Sequence, residues 1–361
     1  MNLSRSPYII EIDEPLQTGS KIELFLWNTG SVPASPQYTL DKLIPASNST
    51  ATYYNISPYV REYFDLTKWS DIYNSYDVAI NTNYVVQYQV IKYKLVGGVY
   101  SVVTTEIGEF MDGYSYFMDG QNKPFQDTIL LTEGTYFYNY DALLPTSQSN
   151  NMAGSFDMIG QAADKVVYTN LSTGTQQVYT LTVDGIKTFA RVYEPYLADG
   201  NKVEHRDGFG ATIWSGNFEP QCEAKYSPVA VDFINRFGSW SRIWFQKAKS
   251  RSIAVKTNEY KFNPATLPYN AQNNGQIKEF NTNAKESIKL NTGWVNDLYG
   301  EYIQELMLSE RVTLLDYDYN TDYTPVKIKT KSLEKQKGIN KGTINYTLEF
   351  EFAFDLINTV V

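Results

Sequence analysis

From Thr343 to Phe354 the chain alternates almost without fault. Ile344, Tyr346, Leu348, Phe350, Phe352 and Phe354 fall on one face, and Asn345, Thr347, Glu349 and Glu351 fall on the other. A period of two held this long specifies a β-strand with one apolar face, the opposite side being left to water or a partner. Just upstream, Val326 to Lys331 alternates as well and puts Lys327, Lys329 and Lys331 on a single side. These stripes predict a scaffold of surfaces in preference to a reactive cleft.

At 361 residues the chain has room for two domains or three. Aromatic residues make up 15% of it, 30 of them tyrosine, a residue suited to strands and to interfaces because its ring buries while its hydroxyl stays wet. Cys222 and His205 are the only cysteine and histidine, so no internal disulfide and no Cys/His zinc site can form. No window approaches the ~20 apolar residues of a membrane-spanning helix, and Met1 to Asp13 lacks the apolar core of a secretory signal. The expectation is a protein made in a reducing cytoplasm, with the triplets at Asn48 and Asn170 unglycosylated.

Charge is uneven. Residues 1–150 hold 8 Lys+Arg against 16 Asp+Glu, residues 151–227 hold 6 against 9, and residues 228–361 hold 17 against 15. An acidic front and a faintly basic back can steer copies together head to tail.

The first 145 residues read as consecutive short strands: Lys21 to Trp27, Gln37 to Leu40, Thr52 to Ile56, and a hairpin from Tyr84 to Ile107 turned at Gly97-Gly98. A helical turn follows Ser57-Pro58, and Tyr114 to Met118 reads as an aromatic strand. Together they predict an N-terminal β-sandwich over 1–145. Residues 146–154, polar and flanked by Pro145 and Gly154, read as a linker. Residues 155–361 read as a β-rich assembly domain, barrel or sandwich. Val295, Leu298 or Tyr299, Tyr302 and Leu306 recur there at helical spacing, predicting one amphipathic helix near 295–309 with Glu301, Gln304 and Glu305 on its wet side.

Four places invite a chemical reading. Between Lys225 and Lys256, basic residues interleave with Phe233, Phe237, Trp240, Trp244 and Phe245. Such a run can track a phosphate backbone and stack bases. A net charge of −9 and no nucleic-acid fold signature favour the alternative, in which aromatics fill a core and the cations meet an acidic neighbour. Arg236, Trp240, Arg242, Trp244 and Phe245 are the expected contact residues. Lys327, Lys329 and Lys331 are expected to guard an edge strand or meet another subunit. Asp316 to Asp322 opens like a calcium loop but has Thr321 and Lys327 where Gly and an acid are required, so a solvated turn is expected. His205 reads as part of a polar turn with no nucleophile-elbow motif, and Gly208-Phe209-Gly210 lacks the pattern of a phosphate-cradling loop. The residues therefore point to no catalytic group, no cofactor and no metal. A distant carboxylate pair, as in a glycan hydrolase, stays open.

Three blocks carry a resemblance: Tyr53 to Phe64 (YYNISPYVREYF), Lys225 to Trp240 (KYSPVAVDFINRFGSW) and Gly342 to Phe354 (GTINYTLEFEFAF). With them the chain resembles virion tail proteins of phages infecting Bacteroidota, in particular a tail component of crAss-like phages. The resemblance implies a virion protein present in many copies, arranged as a ring or hub around the axis of DNA ejection. Its partners would be copies of itself and other tail or portal-proximal proteins, with DNA passing through the lumen without sequence-specific contact. No catalytic residue is implied. The competing expectations are a receptor- or glycan-binding module at the tail tip and a tail-associated glycan hydrolase.

Overall fold

A computed structural model describes residues 1–45, 51–64, 78–79, 84–124, 128–130, 136–138, 153–221, 226–262, 275–296, 299–316, 323–334 and 344–358. The fold is mainly β, and a single helix reaches seven residues among the described residues. Two compact units divide the chain. The first is Met1–Cys222 with Phe233–Arg242, and the second is Glu223–Asp232 with Ile243–Val361.

In chain order the first unit carries β1 (Asn2–Leu3), β2 (Ile9–Ile12), β3 (Gly19–Trp27), β4 (Tyr38–Leu43), β5 (Thr52–Asn55), helical turn α1 (Ser57–Arg61), β6 (Val78–Ala79), β7 (Val86–Val96), β8 (Val99–Met111) and β9 (Tyr136–Tyr138). It continues with β10 (Ser155–Gly160), β11 (Lys165–Asn170), β12 (Gln176–Thr180), β13 (Gly185–Ala190), β14 (Asn201–Arg206) and β15 (Thr212–Gln221). The five-stranded sheet β1-β8-β7-β3-β4 is covered on one face by the β2–β5 pair and α1. Ile22, Leu24 and Leu26 of β3 alternate inward and meet Val86, Tyr88 and Val90 of β7 and Ile10, Ile12, Tyr54, Ile56 and Val60 of the cover. The hairpin is turned where expected. Gly97 and Gly98 both have positive φ, +57° and +82°, which a two-residue turn matched to strand twist requires.

A second pair of sheets, β10-β13-β6 and β12-β11-β14-β15-β9, follows in the same unit. Phe156 of β10 stacks on Phe218 of β15, ring centres 6.2 Å apart, and Tyr168 of β11 donates its hydroxyl to the Ala190 carbonyl of β13 at 2.7 Å. The expected boundary at 145–155 is thereby corrected. β6 pairs with β13, β9 with β15, and Ile129 bridges Met158, so strands from before residue 145 complete sheets built after residue 155. Of the expected linker only Ala153 and Gly154 are described. Ala153 is buried, and the Gly154 carbonyl accepts the Arg191 amide. Tyr114 to Met118 is no strand: Phe117–Asp119 forms one 3-10 turn.

Next come β16 (Val229–Ile234), β17 (Trp240–Phe245), β18 (Ser250–Lys261), β19 (Ile277–Val295), α2 (Tyr299–Leu308), β20 (Val312–Leu315), β21 (Thr324–Ile328) and β22 (Ile344–Phe352). Their sheet runs β17-β16-β20-β21-β22-β19-β18. The alternation of β22 is realised: Ile344, Tyr346, Leu348, Phe350 and Phe352 are buried, although Phe354 lies beyond the strand and is exposed. Helix α2 buries Tyr299, Tyr302 and Leu306, as the spacing predicts, and Ile303 with them, whereas Val295, expected to begin the helix, ends β19. Glu305, expected on its wet side, is buried because it stands three residues after Tyr302 on the same face.

Candidate interaction surface

Strands β18 and β19 pair from Ser250–Lys289 out to Lys261–Ile277. Only the inner half of β19, Ser287 to Val295, has β22 on its other side. Beyond Ser287 the two strands run on as a ribbon. Ser252 to Lys256 and Tyr260 supply its β-branched, aromatic and alternating residues. One extra residue in β19 interrupts the ladder opposite Lys256–Asn258. Asn281 sits there at φ +51°, a conformation asparagine tolerates, and Thr257 and Thr282 close the gap at 3.0 Å between hydroxyls. At the root, Arg251 donates to Glu286 at 3.0 Å and to buried Asp316 at 2.9 Å, and Lys249 reaches the other oxygen of Asp316 at 2.5 Å. The C-terminal segment is clamped alongside. Leu356 N–H donates to the Ala284 carbonyl, and the Asn283 side chain exchanges two hydrogen bonds with Ile357 in the manner of a strand.

This ribbon keeps large apolar side chains in water. Ile253 is 62% exposed and Val255 66%; Ile277, Tyr260, Phe280, Phe354, Leu356 and Ile357 are exposed with them. Ile253 and Val255 share a face as alternate residues, and Tyr260 meets Phe280 edge to face at 5.7 Å. Phe117 and Phe209 are fully exposed too, but each stands on a turn. β18 is also the last strand of its sheet, with no strand partner on its outer side among the described residues. An open edge with an apolar row is a template for another chain.

A second feature lies in the first unit. Tyr8 donates its hydroxyl to Glu106 Oε1 at 2.7 Å, Tyr88 donates to the same oxygen at 2.9 Å, and Lys92 holds Oε2 at 3.0 Å. Burial pushes the Tyr8 phenol up to about 12 and drives Tyr88 higher still, Glu106 adding to both. Burial also works against the Glu106 carboxylate, but donation from Tyr8, Lys92 and Tyr88 outweighs it and holds the group below its ordinary value. Gly108 leaves room for the Tyr88 ring, since a Cβ there would stand 2.7 Å from it. Two adjoining grooves of about 620 and 490 Å³ meet at Tyr8 and Glu106, and Glu11, Asp13, Glu14 and Glu109 line them.

The residues singled out in the sequence are placed otherwise. Trp240, Arg242, Trp244 and Phe245 are buried within the chain's own fold. Trp240 Nε1 donates to Tyr84 at 3.1 Å, the Arg242 side chain packs on Gly154, and Phe245 meets Phe350 edge-on. Arg236 is half-buried over the Phe237 ring at 4.6 Å. The expectation of a contact surface is corrected for Trp240, Arg242, Trp244 and Phe245: alternation and aromaticity are shared by cores and interfaces, and here they build cores. β21 lies between β20 and β22 and guards no edge. Lys327 stands opposite Glu351, Lys329 pairs with Glu349 at 2.7 Å, and Lys331 donates to the Ile328 carbonyl. Asp316 is buried and ion-paired with Lys249 and Arg251, so this one residue is not solvated as expected, while residues 317–322 lie outside the described residues.

His205 is no turn residue. It is buried on β14, with Nε2 3.0 Å from Asp164 and Nδ1 3.2 Å from the Thr128 hydroxyl. Asn170 is buried and uses its side chain to cap Ser172 and Thr173. Cys222 and Asn48 lie outside the described residues. Among the described residues no group of three or more metal-ligating acids, histidines or cysteines gathers, and no helix is long and apolar enough to cross a membrane. The signal sequence reasoning missed was the length mismatch between β18–β19 and the rest of the sheet. Compared with known proteins, the chain matches no family model, no curated protein and no solved structure.

Proposed function

We propose that this protein is a structural subunit that acts by assembling in many copies, as a ring or hub component of a bacteriophage tail. The observation that carries the reading is the β18–β19 ribbon, paired in register, yet exposing Ile253, Val255, Ile277 and Phe280 beside an open edge. A lone soluble domain gains nothing from such a row, whereas an assembling one buries it. The resemblance of the blocks at 53–64, 225–240 and 342–354 to tail proteins supplies the setting. Its partners in this reading are copies of itself and neighbouring tail or portal-proximal proteins, with DNA passing without base-specific contact. Imaging of intact particles with antibody label against this chain tests the proposal. Label in a ring of repeated copies on the tail supports it, and a particle without the chain refutes it.

A second reading, a receptor- or glycan-binding module, draws on the paired grooves beside Tyr8 and Glu106. Binding of capsular polysaccharide by the isolated chain, lost in Tyr8→Ala, would favour it.

A further inference from the structure

The charge of the protein is carried by one unit. Residues of the first unit include 15 Lys+Arg and 24 Asp+Glu, whereas the second holds 16 of each. Inside the second unit the ribbon departs from that balance. Ser250–Lys261 and Ile277–Lys289 together carry Arg251, Lys256, Lys261, Lys278, Lys285 and Lys289 against Glu259, Glu279 and Glu286.

We infer that the ribbon of one copy docks on the acidic first unit of another copy, along the two adjoining grooves that meet at Glu106, one lined by Glu11 and the other by Glu109. The inference rests on the multi-copy reading and names its contact. Three observations select the occupant. The apolar row of the ribbon continues the buried face of its own sheet past the end of the core, from Ile288 through Arg251, Ile253 and Val255, so it is shaped for burial. Exposed Leu356 and Ile357, hydrogen-bonded beside Ala284 and Asn283, add apolar surface along the same ribbon. β18 itself carries Arg251, Lys256 and Lys261 against Glu259, so two ribbons meeting edge to edge would set two net positive strands side by side, which is unfavourable. An acidic surface removes that conflict, and the first unit of the same chain provides one. A contact between two different patches of one protein is heterologous, and repetition of it gives a closed ring or an open helix.

The test uses the full chain in solution, with mass followed by light scattering across concentration and salt. Wild type should self-associate, less so as salt rises. Ile253→Asp with Val255→Asp should weaken association about tenfold or more with an unchanged melting temperature, because both side chains lie in water. Charge reversal on the ribbon (Lys256→Glu, Lys261→Glu, Lys278→Glu) or in the grooves (Glu11→Lys, Glu109→Lys) should each weaken association, and mixing the two reversed proteins should restore it. Undiminished association in the Ile253/Val255 variant overturns the ribbon contact while leaving multi-copy assembly standing. Failure of the reversed pair to recover removes the grooves as receptor. A wild type that stays monomeric throughout overturns both the inference and the reading beneath it.

Discussion

Tyr8 gives its hydroxyl hydrogen to Glu106 across 98 positions of sequence, Oη to Oε1 2.7 Å, and so ties the covering pair β2–β5 to the sheet beneath it. The bond sets how stability follows pH. Glu106 titrates below its ordinary value in the fold, so its contribution is present above the unfolded carboxylate range and is lost as pH falls through the folded value. Tyr8 titrates near 12 in the fold against 10 unfolded, so its contribution is complete below pH 10 and is lost between 10 and 12. Melting temperature measured across pH should decline on both flanks, and Tyr8→Phe should flatten the alkaline one.

Trp240 separates a core from an interface. It is buried and hydrogen-bonded to Tyr84, so Trp240→Ala should destabilise the isolated chain by about 3–5 kcal/mol. Urea unfolding of dilute protein reads this directly. An unchanged midpoint would return Trp240 to the surface role its sequence context suggests.

Asp316 holds two cations at the root of the ribbon. Asp316→Ala leaves Lys249 and Arg251 facing a site with no carboxylate there, and removal of one member of a buried charged group costs ~3 kcal/mol. Lys249→Met in the same background should recover part of that loss, whereas Arg251→Met would also remove the ion pair to Glu286. A double-mutant cycle by chemical denaturation measures the coupling, and strict additivity would contradict the network.

His205 is a structural bridge between Asp164 and Thr128. His205→Ala should cost about 1–3 kcal/mol, the penalty for buried polar groups stripped of a partner. Thermal unfolding checks this, and a variant as stable as wild type would show that the bridge contributes nothing.

What could be read from the chain was local. The Gly97-Gly98 hairpin, the face of β22 and helix α2 are set by neighbours within a dozen residues, and their periods are visible in the letters. Pairings of β6 with β13 and β9 with β15 depend on chain returning from afar, and no local pattern announces them. The lysines at 327 and 329 were visible, but the glutamates they face at 351 and 349 emerge only once the register of β21 on β22 is fixed. Tryptophan and phenylalanine at 240–245 look alike in a core and in a contact, and sequence alone could not decide between them.

The nineteen residues of β19 serve two unequal masters. From Ser287 onward its amides are locked between two strands, whereas those from Ile277 to Thr282 have β18 alone. Deuterium should therefore enter the outer segment well before the inner one, and the projecting half can fray and re-form while the seven-stranded sheet holds. The limb would then search for its docking site without any risk to the body that bears it.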